Sequence, residues 1–323
     1  MFMRRLLYLL LAVLVLLPVA AGVVGAQLSS IILHPANLNP DRHEQTADML
    51  ARTGATKTDL DVTAADGAIL RGWKIQPKNP NGDWVLLYHG ISDNRTGNLA
   101  HAEFLLTNGY SVVMMDSRAH GQSGGTIATY GWLERNDTRA IVSALYADES
   151  VRHLYALGVS MGAAIALQSA AIEPRIEAVV AEDPFENLRE VTYDYAGLEL
   201  SPLLGKTLFR PASMAALHGV KKDGGFDPDD VSPKKAVAAR AFPVLLICGT
   251  ADHRIPCRHA QAIYQAAIGP KELWIVPGAA HASALGHAPQ EYQKRVIEFF
   301  GEYPEGKSKE TKKETKNETK PPA

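Results

Sequence analysis

The stretch from Tyr155 to Ala166 constrains the fold more than any other part of the chain. It reads Tyr-Ala-Leu-Gly-Val-Ser-Met-Gly-Ala-Ala-Ile-Ala, which predicts a short buried strand, a Gly-x-Ser-x-Gly turn and a helix of small residues. Such a turn holds the serine in strained backbone geometry between the strand and the helix. Gly158 and Gly162 are needed because a larger side chain there would collide with the neighbouring strand or helix. Ser160 would then stand at the start of a helix, where the helix dipole and free N–H groups favour developing negative charge.

Length, charge and cysteine content narrow the class of protein. A chain of 323 residues is long enough for one large α/β domain or two small ones. The net charge of -2 and the lack of a basic stripe argue against a nucleic-acid partner. Cys248 and Cys257 are too few for a disulfide framework, and their spacing does not fit a zinc site. They could form one bridge if the protein is exported, and two unpaired thiols are the equal alternative.

The N-terminal residues 1–27 combine a basic flank with an apolar run. Arg4 and Arg5 precede an uncharged stretch from Leu6 to Ala26, which is about the length that crosses a bilayer as a helix. The same stretch also fits a signal peptide with cleavage near Ala26. In both interpretations the arginines stay on the cytoplasmic side and the rest of the chain crosses the membrane. We favour an uncleaved membrane anchor with the folded domain on the extracytoplasmic side, and a secreted or periplasmic protein is the alternative.

After a connecting segment over residues 28–56, predicted strands and helices alternate. A hairpin is expected around Asp66-Gly67, and buried strands are expected before Ser160 and at residues 84–88, 110–115, 176–180, 244–248 and 273–276. This alternation predicts a mostly parallel sheet with helices on both faces, in one α/β domain over residues 57–304. The pattern breaks down at about 184–235, directly after a strand end, where we expect a small helical cap. The Lys/Glu/Thr-rich tail over 305–323 is expected to be disordered.

Ser160 needs two further side chains before it can react. A serine hydroxyl becomes a good nucleophile only when a base takes its proton, and an acid must hold that base in one tautomer. In this type of fold the chain order is nucleophile, acid, histidine. The acid candidate is Asp252, which follows a predicted strand, and a helix-capping aspartate is the alternative. The base candidate is His281, because three small residues before it let its loop approach Ser160, whereas His287 already approaches the last helix.

The negatively charged oxygen that forms during attack on a carbonyl needs two fixed N–H donors. The turn itself supplies the first candidate, the backbone N–H of Met161. The second candidate is the backbone N–H of Ile91, in the loop after the strand that ends at Tyr88. We expect His89 to shape this loop by hydrogen bonding, because a catalytic His89 would precede the serine in the chain.

Taken together, five motifs occur in one order along the chain: His89-Gly90, Asp116-x-Arg118-x-His120-Gly121-x-Ser123, Gly158-x-Ser160-x-Gly162, Gly249-x-x-Asp252 and Gly278-x-x-His281. This order resembles the α/β-hydrolase superfamily over about residues 57–300. The chain is most similar to its Bem46-like and serine-aminopeptidase-like branch, whose members often begin with a membrane anchor and a Thr-x-Asp-Gly-x-x-Leu-x-Gly-Trp hairpin. The stretch from Thr63 to Trp73 is close to that hairpin, with one extra residue. Ala119 departs from the family pattern, which usually has glycine there.

The resemblance implies a serine hydrolase that uses no metal and no cofactor. We expect Ser160 to attack a carboxylic ester, His281 to carry the proton, Asp252 to orient His281, and water to release the acyl-enzyme. An aminopeptidase-type hydrolase of short peptides is the first alternative, and it needs an acidic group to hold the substrate's α-ammonium. The candidates for that group are Glu182, Asp183 and Glu186. A catalytically silent, membrane-tethered binding scaffold is the alternative from another class.

Overall fold

An eight-stranded sheet organises the part of the chain that the computed structural model describes, which is residues 4, 5, 8, 22–36, 42–197 and 201–303. The strands are β1 Thr56–Thr63, β2 Ile69–Gln76, β3 Asp83–Tyr88, β4 Ser111–Met115, β5 His153–Val159, β6 Ala178–Glu182, β7 Val244–Gly249 and β8 Lys271–Val276. Their order across the sheet is β1-β2-β4-β3-β5-β6-β7-β8. β2 is antiparallel to both β1 and β4, and all other neighbours are parallel. The predicted mostly parallel sheet with an antiparallel edge is confirmed.

Helices cover both faces of this sheet, as the alternating pattern predicts. They are α1 (residues 22–33), α2 His43–Thr53, α3 Leu99–Thr107, α4 Glu134–Asp148, α5 Met161–Ile172, α6 Leu188–Ala196, α7 Pro202–Lys206, α8 Arg210–Gly224, α9 Pro233–Ala239, α10 Arg258–Ala266, α11 Ala284–His287 and α12 Pro289–Glu302. Helices α4, α5, α9 and α10 pack in the apolar cluster on one face. Helices α2, α3 and α12 pack in the cluster on the other face.

The central strands are apolar along their whole length because both of their faces are covered. Every residue of β3 is buried, and its alternate side chains belong to different clusters. Trp84 and Leu86 pack on the side of α5, whereas Val85 and Leu87 pack on the side of α3. A strand buried on both faces reads as a continuous apolar run, which is why the sequence shows no polar alternation there.

The predicted cap is confirmed as a group of helices between β6 and β7. Helices α6, α7, α8 and α9 follow one another in this connection, and residues 198–200 within it lie outside the described residues. A third apolar cluster joins the cap to the body of the domain. Its members include Phe185, Leu188, Val191 and Val220 from the cap and Leu33 from α1. The cap therefore shares a core with the N-terminal helix.

Helix α1 packs closely and in parallel against cap helix α8. A Cβ atom at Gly25 would lie 2.3 Å from the Cβ of Ala215, and one at Gly219 would lie 2.5 Å from the Oγ of Ser29. These contacts advance by four residues on both helices, which brings one face of α1 against one face of α8. Small side chains at the crossing permit this close approach. The connection predicted for residues 28–56 thus contains the end of α1 and the whole of α2.

Two predicted segments lie largely or wholly outside the described residues. The N-terminal region contains the apolar run from Leu6 to Ala26. Of residues 1–26, the structure describes only residues 4, 5, 8 and 22–26. The tail at 305–323 lies outside them entirely. Among the residues that are described, no helix is both long enough and apolar enough to cross a membrane.

Candidate active site

Ser160 occupies a strained turn between β5 and α5. Its backbone angles are φ 57° and ψ -118°, which lie in a region that residues other than glycine rarely adopt. A Cβ atom at Gly158 would lie 2.2 Å from the carbonyl oxygen of Gly162. One at Gly162 would lie 2.2 Å from the carbonyl oxygen of Tyr88. Glycine at both positions is therefore a steric requirement of the turn, as the sequence predicts.

The structure brings Ser160, His281 and Asp252 into one hydrogen-bonded chain. The Nε2 atom of His281 lies 2.9 Å from the Oγ of Ser160, and its Nδ1 atom lies 2.7 Å from the Oδ2 of Asp252. Since an ionised carboxylate only accepts hydrogen bonds, Nδ1–H donates to Asp252 and Nε2 is left to accept the serine proton. The rival histidine, His287, lies in α11 and makes no such contact with Ser160 among the described residues.

The loop after β7 holds Asp252 in place by several contacts. Its Oδ1 accepts the backbone N–H groups of Arg254 and Ile255 at 2.8 and 2.9 Å, which leaves Oδ2 for His281. A disulfide joins Cys248, in β7, to Cys257, directly before α10. The sequence left this bridge open as one of two alternatives. Because Asp252 lies between the two cysteines, the bridge closes the loop that carries it.

A second buried carboxylate, Asp183, braces the two loops that carry Asp252 and His281. It follows β6 directly and has a positive φ of 49°. Its Oδ1 accepts the N–H of Gly249 at 3.2 Å, and its Oδ2 accepts the N–H of Ala282 at 2.8 Å. The same Oδ2 lies 3.8 Å from the Nδ1 of His281. From the sequence, Asp183 is expected only as a group that could bind an ammonium, and no local pattern indicates this bracing contact.

The environment of Asp183 favours its protonated form. Burial raises the pKa of this carboxyl to about 7, and the neighbouring charges of Glu182 and Asp252 act in the same direction. The N–H of Ala282 and the imidazole of His281 partly oppose the rise. Asp183 is therefore a weaker acid than an ordinary aspartate side chain.

The two predicted oxyanion donors belong to residues that lie close to Ser160. Met161 is the first residue of α5, and the first N–H groups of a helix have no acceptor within the helix. Ile91 follows Gly90, whose Cβ position would lie only 3.8 Å from the Cβ of Ser160. The loop after β3 thus passes directly beside the serine. Ile91 and Met161 line the same cavity as Ser160.

His89 supports the loop that contains Ile91. Its Nε2 accepts the backbone N–H of Ser117 at 3.0 Å, so its Nδ1–H donates to the carbonyl oxygen of Gly90 at 2.8 Å. Burial lowers the pKa of His89 to about 4, with a further lowering by the nearby ring of His120. A neutral, doubly hydrogen-bonded imidazole holds the loop in shape, in agreement with the role expected for it.

The Gly-rich loop after β4 contributes structure at a distance from Ser160. The guanidinium of Arg118 forms two hydrogen bonds of 2.7 and 2.6 Å with Asp137 and a third with Asp66. Asp116 accepts hydrogen bonds from Arg95. Ala119 has a φ of 57°, in the left-handed region that glycine tolerates better. The departure of this residue from the family pattern therefore has a conformational cost.

Comparison with known proteins settles the family. A family model described as serine aminopeptidase, S33, matches residues 79–211. The uncharacterised protein YqkD of Bacillus subtilis is 30% identical over 248 residues, which cover 75% of this chain and 79% of that protein. The solved structure of an esterase from Pyrococcus furiosus has a TM-score of 0.64 and 25% identity, with 79% of this chain and 95% of that chain covered. The chain belongs to the α/β-hydrolase superfamily.

Other α/β-hydrolase structures share the fold at lower identity. An acylaminoacyl peptidase of Pyrococcus horikoshii has a TM-score of 0.59 at 17% identity, and the match covers 79% of this chain and 43% of that one. Esterases and a peptidase thus occur among the structural neighbours. These neighbours support hydrolysis as the general activity of the chain. The kind of bond that is cleaved has to be inferred from the site.

The hydrolase has a largely apolar cavity of about 450 Å³ in front of Ser160. Its volume falls within the range of small-molecule sites. Apolar walls come from α1 and from the cap, for example Ile32, Leu188 and Val191. Among the described residues that line it, the polar side chains all carry hydroxyl groups, and no side chain is acidic or basic. Such a cavity favours an uncharged, apolar group next to the serine.

One set of side chains has the composition of a metal site. Ligand atoms of Asp183, Asp252 and His281 lie within 4.8 Å of one another. Each of these atoms already has a hydrogen-bond partner: His281 bonds to Ser160 and Asp252, and Asp183 bonds to two backbone N–H groups. These bonds orient His281 toward the serine and hold Asp183 against the backbone of the loops that carry Asp252 and His281.

Proposed function

We propose that this hydrolase cleaves carboxylic esters through an acyl-enzyme on Ser160. The observation that carries the proposal is the hydrogen-bonded chain from Asp252 through His281 to the Oγ of Ser160. The same order of contacts activates serine in hydrolases of unrelated folds. The proposal assigns the oxyanion donors to the backbone N–H groups of Met161 and Ile91, which line the cavity with the serine.

The mechanism follows from the roles of the three side chains. His281 accepts the Ser160 proton through Nε2 as the oxygen attacks the ester carbonyl, and Asp252 stabilises the imidazolium that forms. The two N–H donors stabilise the negative oxygen of the tetrahedral intermediate. His281 then protonates the leaving alcohol as the acyl C–O bond breaks. In the second half, His281 takes a proton from water as the water oxygen attacks the acyl carbonyl, and it then gives that proton to the Oγ of Ser160 as the bond between the acyl group and Ser160 breaks and the carboxylic acid leaves.

The cavity supports an ester rather than an aminoacyl substrate. An aminopeptidase needs an acidic side chain to hold the α-ammonium, and no described residue that lines the cavity is acidic. Glu186 is engaged elsewhere, with Lys234 at 3.1 Å and Arg258 at 3.4 Å. Glu182 accepts the backbone N–H of Ala284, and Asp183 braces the loops described above. All three candidates for the ammonium site therefore have other partners.

The test is covalent labelling with a fluorophosphonate probe, followed by assays with p-nitrophenyl esters and aminoacyl anilides. We expect Ser160→Ala and His281→Ala to abolish labelling and to lower kcat by about 10⁴- to 10⁶-fold. His287→Ala is the matched control and should label normally. Labelling that survives Ser160→Ala would refute the serine mechanism. A folded wild-type chain that does not label would favour the binding scaffold, and faster turnover of the anilides would favour the aminopeptidase.

We also propose that the N-terminal segment stays attached as a membrane anchor and that the hydrolase domain lies on the extracytoplasmic side. The basic flank at Arg4 and Arg5 supports this orientation. The Cys248–Cys257 bridge fits an oxidising compartment. The packing of Gly25 on α8 supports retention, because cleavage near Ala26 would remove that contact.

Two measurements on isolated membranes test the anchor. The full chain should resist carbonate extraction, and an impermeant protease should digest the hydrolase domain only from the extracytoplasmic side. A mature protein that begins at Gln27 would overturn the anchor. Protection of the domain from the protease would overturn the orientation.

A further inference from the structure

Helix α1 forms one wall of the cavity in which the proposed esterase would bind its acyl group. Leu28, Ile31 and Ile32 of α1 line this cavity, and they face lining residues of cap helices α6 and α8. The wall is fixed in position, because the end of α1 is tied to the domain. The Tyr130 hydroxyl donates to the carbonyl oxygen of Ile32 at 2.8 Å, and Leu33 is fully buried. An apolar segment near the N-terminus is thus a constituent of the binding site.

The mouth of the cavity lies between α1 and α6. Ile31 and Tyr195 both line the cavity, yet 65% and 39% of their surfaces are exposed. Ser160 lies at the closed end and is 5% exposed. An ester whose carbonyl lies at Ser160 would therefore have its apolar acyl chain along the cavity, between the serine and Ile31 and Tyr195 at the mouth.

Exposed large apolar side chains are concentrated on α1 and the cap. Twelve large apolar side chains are exposed among the described residues, and seven of them lie on α1 or on the cap. These seven are Val23, Val24, Ile31, Tyr195, Leu203, Leu208 and Met214. Exposed apolar side chains that gather in one region mark an interaction surface, whereas scattered ones do not.

The direction of α1 links this surface to the apolar N-terminal run. Because α1 and α8 are parallel, the start of α8 lies beside the start of α1. Leu208 precedes α8 by two residues and is exposed at that end. The uncharged stretch from Leu6 to Ala26 reaches the domain at the same end. The described end of the apolar run, residues 22–26, therefore lies on the side of the exposed apolar residues of the cap.

We propose that the substrate is an ester of a long, unsubstituted acyl chain, and that the cavity takes this chain from a lipid bilayer on which α1 and the cap rest. The proposal rests on the esterase function proposed above. Water cleaves the acyl C–O bond, so the products are a fatty acid and an alcohol. The apolar side chains that line the cavity contact the acyl chain. The exposed apolar side chains of α1 and the cap contact lipid in place of water.

Chain-length selectivity of the full-length protein tests the substrate class. With p-nitrophenyl acetate, butyrate, octanoate and laurate as monomers in solution, kcat/KM should rise with length by up to about four-fold for each methylene that the cavity buries. Thr192 lines the cavity, so Thr192→Trp adds bulk to its wall and should lower the ratio of laurate to acetate kcat/KM by at least about ten-fold. Fastest turnover of acetate by the wild type would overturn the long-chain substrate.

The source of the substrate is tested with p-nitrophenyl palmitate in phosphatidylcholine vesicles. Leu208→Asp changes an exposed residue of the cap that does not line the cavity, and it should lower turnover in vesicles at least ten-fold and leave soluble acetate turnover unchanged. Ile268→Asp is the matched control, since Ile268 is 61% exposed on a part of the domain remote from the cavity, and it should have no effect. Equal rates for the two variants in vesicles would overturn the bilayer as the source.

Fluorophosphonate labelling of the wild type and of each variant distinguishes failure of the long-chain substrate from failure of the esterase function. Wild-type protein that labels but prefers acetate leaves the esterase function in place and refutes the long-chain substrate. Wild-type protein that is folded and does not label refutes the esterase function itself. Labelling of Leu208→Asp at the wild-type rate, and complete labelling of Thr192→Trp, show that the reactive serine is intact in both variants.

Discussion

The strained turn at Ser160 predicts that two inactive variants will differ in stability. Its φ of 57° and ψ of -118° are the mirror image of an ordinary extended conformation. Glycine adopts such mirror-image angles as easily as ordinary ones, whereas a residue with a Cβ is strained by roughly 1–3 kcal/mol. Ser160→Ala and Ser160→Gly both remove the nucleophile, but only the glycine variant also removes the strain.

The expected difference follows from two opposing effects. Relief of strain stabilises Ser160→Gly, and the greater freedom of glycine in the unfolded chain opposes this by about 0.4–1 kcal/mol. The glycine variant should therefore be more stable than the alanine variant by about 1 kcal/mol. For a domain of this size that difference raises Tm by about 2–4 °C.

Thermal unfolding followed by circular dichroism measures this difference, and an ordinary helical position supplies the control. Ser143 lies within α4 in regular helical structure. There the order should reverse, with Ser143→Gly less stable than Ser143→Ala by about 1 kcal/mol. If Ser160→Ala proves as stable as Ser160→Gly while the Ser143 pair behaves as expected, the backbone at Ser160 is not strained and the reasoning fails.

Three further predictions concern stability and the acid loop. Between pH 4 and 7 the folded chain holds a proton on Asp183 that the unfolded chain releases, because its pKa is raised to about 7. The free energy of unfolding should therefore fall as pH rises, by up to about 1.4 kcal/mol per pH unit, and Asp183→Asn should flatten this slope in urea titrations. Ala119→Gly should raise stability by about 0.5–1 kcal/mol in the same assay, since the φ of Ala119 is positive; a loss of stability would contradict this. Replacing both Cys248 and Cys257 by serine should lower stability by about 2–3 kcal/mol and lower kcat, with fluorophosphonate labelling slowed; unchanged kcat would show that the bridge does not hold Asp252.

The turn, the acid and the histidine could be predicted because each has a local signature. Ser160 lies in a strand–turn–helix pattern whose glycines are sterically required, and the structure has that pattern at the expected residues. Asp252 and His281 both follow buried strands, and the ends of parallel strands meet at one edge of a sheet. Topology therefore brings the three together once the strand order is known, and the distances between their atoms agree with the roles proposed for them.

Contacts between distant parts of the chain could not be predicted. Asp183 braces Gly249 and Ala282, which are 66 and 99 residues away in the chain. The sequence separation of Cys248 and Cys257 does not give the distance between their Cα atoms, which is 5.4 Å and suits a disulfide.

Hydropathy likewise does not predict what packs against helix α1. Its apolar residues continue the run that ends at Ala26, so composition alone does not tell whether lipid or protein covers them. The close contact of Gly25 with Ala215 identifies α8 as the partner of one face. That partner belongs to an irregular part of the sequence, where neither strand nor helix periodicity indicates a docking surface.

The pairing of α1 with α8 also affects how the chain can fold. Ser29 and Gly219 are about 190 residues apart, so at usual rates of synthesis roughly 10–40 s pass between the appearance of the two helices. During that interval Leu33 and its apolar neighbours on α1 have no α8 to pack against. Unless lipid or a chaperone covers this helix, its apolar face is open to aggregation during that interval. The cavity can therefore form only when the cap, which is synthesised later, packs against a helix that was made first.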